Sequence, residues 1–86
     1  MSVHEAITSH TQKMHAHLEV FQVLDLKREQ AIDQAVAQYI AGEAFSVDEI
    51  NRCAAAINEH AKHGISPTRT YITTEMLVEY AQRSNR

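Results

Sequence analysis

Apolar residues recur at helical spacing from Val3 to Ile40, at Val3, Ile7, Met14, Leu18, Phe21, Leu24, Ile32, Val36, Tyr39 and Ile40. That spacing puts them on one side of an α-helix. Neither Gly nor Pro interrupts the stretch before Gly42, and Gly is the usual residue just past a helix C-terminus. The pattern predicts a first helix over about residues 2–41. Part of it reads as a heptad seam: Ile7, Thr11, Met14, Leu18 and Phe21, interrupted by Asp25 and Arg28, then Ile32, Ala35 and Tyr39. Such a helix is about 60 Å long at 1.5 Å per residue, too long for the rest of the chain to cover. Either it bends or breaks near residues 24–29, or a second chain covers part of it. Val20, Phe21, Val23, Leu24 and Leu26 stand on most sides of the helix. A segment apolar all round is buried all round, so this one is expected at the centre of the structure.

The second helix is announced by Ser46 followed three residues later by Glu49, the spacing of a capping box. Phe45 and Ile50 stand where a hydrophobic staple needs them, and Asp48 and Glu49 suit the positive end of the helix dipole. Ile50, Cys53, Ala54, Ile57 and Ala61 continue the helical spacing to Lys62, His63 and Gly64. This predicts a helix over 47–63 with Gly64 as its left-handed stop. Residues 64–72 form a connection, since Pro67 blocks continuation. Thr73 then caps a third helix over 73–83, with Ile72 and Leu77 as a second staple and Met76, Leu77, Tyr80 and Ala81 as its apolar face. The tail from Ser84 is expected to fray. No stretch alternates as a strand would. The expected architecture is all-α, one domain over residues 1–86, with a long N-terminal helix packed against a two-helix hairpin.

Composition narrows the core. Aromatic residues are 6% of the chain and Trp is absent, so Ala, Val, Ile, Leu and Met must fill it. Cys53 is the sole cysteine; beside Ala54 and Ala55 it reads as a small buried hydrophobe. No apolar run reaches the roughly 20 residues of a membrane span, and the N-terminus lacks the pattern of a signal peptide. A cytoplasmic setting is expected, with no membrane partner.

Charge and motifs remove most chemistries. The net charge is −3, from 8 Lys+Arg against 11 Asp+Glu, which disfavours a phosphate backbone. The six histidines, His4, His10, His15, His17, His60 and His63, show neither the HExxH nor the ExxH spacing that brings metal ligands together on a helix. They read as exposed polar residues, and no cofactor is expected. No nucleophile elbow or phosphate-binding glycine loop occurs, so no catalytic residue is proposed. DNA binding is the alternative. Residues 60–86 carry four basic against two acidic groups, and Arg69, Thr70 and Arg83 would be its phosphate contacts, on the 64–86 connection and last helix. Its turn is longer than the three or four residues of a helix-turn-helix. A protein-interaction role fits better. The long seam calls for a partner, and a second copy is the simplest. Met14, Leu18, Phe21 and Leu24 are the candidate interface of a homodimer, with intrachain packing as their alternative role.

The stretches Val3–Ile7 (VHEAI), His15–Leu18 (HAHL), Phe45–Asn51 (FSVDEIN), Gly64–Arg69 (GISPTR) and Ile72–Met76 (ITTEM) resemble a family of small uncharacterised proteins from Bacillus-type bacteria, the YpbS-like family. The resemblance spans nearly the whole chain. It implies a cytoplasmic protein with no assigned activity, and brings no site residue with it.

Overall fold

In the computed structural model the described backbone runs over residues 3–84, with side chains described from 12 to 83. The described residues form three helices: α1 (Val3–Ile40), α2 (Asp48–Ala61) and α3 (Thr74–Ser84). The expected start at Ser2, the side chains of the seam positions Ile7 and Thr11, and the tail beyond Ser84 lie outside what is described, while Ser84 itself, expected to fray, is the last residue of α3.

Of the two alternatives for the long helix, the break is not taken. α1 is continuous over 38 residues, about 57 Å at the usual rise, and the molecule measures 61 × 22 × 16 Å. The helix is therefore its long axis. Its C-terminus closes as a Schellman motif. Gly42 has φ 75°, Gly42 N donates to Tyr39 O at 3.1 Å, and Glu43 N donates to Gln38 O at 2.9 Å.

The chain then turns back. Ile50 of α2 packs with Ala35, and His60 reaches His17, so α2 runs antiparallel to α1. Ile72 and Leu77 join the same core cluster as Ala35, while Gln82 Nε2 donates to the Tyr39 hydroxyl at 3.3 Å. Thus α3 runs parallel to α1. Both staples close on this cluster, since Phe45 with Ile50 and Ile72 with Leu77 all belong to it. The buried residues are Phe21, Ala35, Ile50, Ala54, Ile57, Leu77 and Ala81. Three of the seven are alanines, one on each helix, which lets the backbones approach closely.

Three expectations need correction. Val20, Val23 and Leu26 are 47%, 55% and 54% exposed, not central. Both later helices lie on one side of α1, so a segment apolar all round is covered on that side alone. The second helix ends at Ala61, with Lys62 in the right-handed region, so Gly64 is not a left-handed stop. The capping box does not form: Val47 is the cap of α2 and makes no side-chain cap bond, Ser46 Oγ accepts from Asp48 N at 3.1 Å one residue earlier, and Glu49 bonds Arg52 at 2.7 Å. Thr73 caps α3 as expected, its Oγ1 accepting from Met76 N at 3.2 Å.

The connection of residues 62–73 has no regular structure, yet two asparagines of α2 hold it. Asn58 accepts from Arg69 N at 2.8 Å and donates to Arg69 O at 2.9 Å. Asn51 does the same for Ile72, at 2.8 and 2.9 Å. Each side-chain amide takes the place of a neighbouring strand's backbone unit.

Candidate functional site

Among the described residues, His17 is the first of α1 that the later elements reach. From there to the C-terminus, one side of α1 meets α2, the connection or α3. Every described residue before it, Gln12 to Ala16, is exposed.

A joint of histidines marks this limit. The rings of His17 and His60 stack with centroids 3.8 Å apart and planes 15° apart. His60 Nε2 donates to the His17 carbonyl at 2.8 Å, which fixes the proton on that nitrogen, because a carbonyl oxygen only accepts. His17 Nε2 and Ser66 Oγ are hydrogen-bonded at 2.9 Å. Gly64 closes on the same ring, where a Cβ would sit 2.7 Å from its atoms. This close approach, not a left-handed φ, is why residue 64 is glycine. The joint ties α1, α2 and the connection together through residues 43 to 49 positions apart. Helical spacing cannot reveal contacts at that separation, so the sequence left these histidines as plain surface groups.

The joint favours the neutral imidazole. Desolvation holds the His17 pKa below its ordinary 6.5, aided by the neighbouring His60 and then His63. Between the lowered folded value and 6.5 the unfolded chain binds the additional proton, so stability rises with pH there. The contribution is present above pH 6.5 and is lost as the pH falls through the folded value. A His17→Phe variant keeps a ring to stack but cannot titrate. Urea midpoints between pH 7.5 and 5.5 should fall less for this variant than for the parent; equal falls would sink the assignment.

One to two turns further along, at Phe21 and Asp25, Arg69 docks on α1. Its Nε and Nη2 donate to the Asp25 oxygens at 2.9 and 3.2 Å, and its Cζ lies 5.2 Å from the centre of the Phe21 ring. The Asp25 side chain is only 18% exposed, so this bidentate pair is better shielded than the exposed pairs Arg52–Glu49, Lys62–Glu59 and Arg83–Glu79.

The candidate interface residues divide. Phe21 is buried under Arg69 and Leu24 is half-buried, both within the chain. Met14 and Leu18 are 40% and 39% exposed. Of the alternative phosphate contacts, Arg69 is turned inward onto Asp25, Arg83 pairs with Glu79 at 2.9 Å, and Thr70 is exposed. Cys53 is half-buried.

Among the described residues no group of three or more His, Cys, Asp and Glu could hold a metal ion. No helix among them is long and apolar enough to cross a membrane.

A groove of about 510 Å³ lies between α1 and α3. Ile32, Ile72, Met76, Leu77 and Tyr80 line it, with Glu29 and Asp33 on its α1 side. Arg28 also lines it, and its buried Nε has no hydrogen-bond partner.

Residues 1–83 match the family described as a protein of unknown function, DUF2533. The chain belongs to this family. A relative from Bacillus subtilis (strain 168), described as uncharacterized protein YpbS, is 42% identical over 81 residues, covering 94% of this chain and 95% of its own. This bears out the resemblance drawn from the VHEAI, FSVDEIN and GISPTR stretches. No solved structure matches.

Proposed function

We propose that this is a small non-enzymatic protein that works by helix–helix association, and that its first partner is a second copy of itself. One observation carries the reading. Among the described residues, the core stripe of α1 is covered as far toward the N-terminus as Phe21, but its apolar positions continue beyond it. Leu18 and Met14 continue the line of Phe21 at helical spacing, and both are exposed. Single exposed apolar residues are ordinary. A row that continues a core stripe past the end of its cover is a surface prepared for another helix. A two-fold dimer is the simplest way to close it. The nucleic-acid alternative is less favoured, because Arg69 already serves Asp25 and Phe21. A cytoplasmic setting belongs to the same reading, supported by a single, unpaired cysteine.

Absolute molar mass, measured by light scattering behind a sizing column over a wide concentration range, tests it. A mass rising toward twice 9.7 kDa is expected. A mass of one chain at every concentration overturns the reading.

A further inference from the structure

Building on that self-association, we propose where the exposed arm goes: the segment around Met14 and Leu18 of one copy lies in the α1–α3 groove of the other, and the exchange is reciprocal. Two observations converge. The groove is apolar along its floor, and its α3 wall offers Met76 and Tyr80 at 46% and 52% exposure. It is therefore unfilled by its own chain, while the arm is apolar and uncovered. The depression between α1 and α2 mixes Ala31, Ala35 and Phe45 with the charged Asp48, Glu49 and Arg52, so it offers an apolar stripe a less uniform seat.

Charge points the same way. Residues 6–18 contain no carboxylate, and Lys13 is their cation. The groove's α1 side carries Glu29 and Asp33. A basic arm is thus offered to an acidic rim, which steers association.

The levels along the helix match. In an antiparallel pair of α1 helices with the two-fold axis near Val23, Met14 falls at the level of Ile32 and Leu18 at that of Arg28, so the arm of each copy stands at the level of the other's groove. Each copy then gives one arm and receives one, and no surface is left to propagate a filament.

The test is a cross-link. In the full chain with Cys53→Ser, the pair Met14→Cys and Met76→Cys cannot bridge within one molecule. Met76 sits beside Ile32, and residues 14 and 32 of α1 are about 27 Å apart at 1.5 Å per residue, whereas a disulfide needs Cα atoms within about 7 Å. Under mild oxidation this double variant should run as a covalent dimer on a non-reducing gel, and either single variant should do so far less. A Tyr80→Glu variant, altered at an exposed position, should weaken the dimer at least about tenfold, roughly 1.4 kcal/mol, with its helical circular dichroism unchanged. If the mass shows a dimer but neither the cross-link nor the Tyr80→Glu loss appears, the groove is the wrong seat and self-association stands. If the mass is that of one chain throughout, both the groove and the association fall.

Discussion

Replacing Asn51 and Asn58 together by alanine is expected to cost about 2–6 kcal/mol of unfolding free energy, four hydrogen bonds at about 0.5–1.5 kcal/mol each. The four bonds are those to the backbone of Arg69 and Ile72. The connection forms no helix or strand, so these amides are the means by which the Arg69 and Ile72 backbone groups are satisfied. Two longer-range contacts depend on them. Arg69 reaches Asp25 and Phe21 only while its backbone is held, and Ile72 packs on the cluster of Ala35, Ile50 and Leu77. Small domains have only about 5–15 kcal/mol in total, so the double variant should lose a large share of its stability. Urea titration followed by circular dichroism measures it. Asn58→Asp keeps the acceptor for Arg69 N and loses the donor to Arg69 O, so it should fall between the parent and Asn58→Ala. A double variant within about 0.5 kcal/mol of the parent would mean that the amides do not hold the connection.

The helices were legible in the sequence because their signals are local. The uninterrupted period to Gly42, Ser46 with its first-turn acids, and Thr73 as a cap each need only a few neighbouring residues. Their expected ends at 41 and 63 and starts at 47 and 73 differ from the observed Ile40, Ala61, Asp48 and Thr74 by at most two residues. What joins the helices was not legible. Asn51 and Asn58 carry no special local pattern; their role depends on an extended segment 11 to 21 residues later. His17 and His60 are 43 apart, and Gly64 was given a backbone role that its neighbour's ring decides instead. The Val20–Leu26 segment failed for a different reason. Apolar residues on several sides of a helix predict cover on several sides, but a chain this short supplies cover on one. The candidate interface was read as a single stripe for the same reason, since periodicity shows which side of a helix is apolar but not where along it the cover stops. The structure places that limit between Leu18 and Phe21.

The contrast between those two residues gives the second large effect. Phe21→Ala should cost about 3–5 kcal/mol, the usual loss for a buried phenylalanine, because its side chain is only 9% exposed. It should also cost the Arg69 contact over its ring, about 0.5–1 kcal/mol where such a contact is exposed. Arg69 would keep Asp25 but lose its seat. Leu18→Ala removes a side chain of similar character three positions away, 39% exposed, and should change the stability of the single chain by less than about 1 kcal/mol. Under the association proposed above the order reverses in the dimer. Leu18→Ala should weaken self-association about tenfold, roughly 1.4 kcal/mol, while Phe21→Ala should act through folding and reduce helical signal and dimer together. Thermal and urea unfolding at low concentration separate the folding effect, and light scattering across concentrations reads the association. If Leu18→Ala unfolds the single chain as severely as Phe21→Ala, then Leu18 belongs to the intrachain core and the free stripe begins nearer Met14. If Phe21→Ala leaves stability intact, the packing of Arg69 over its ring does not hold α1 to the connection.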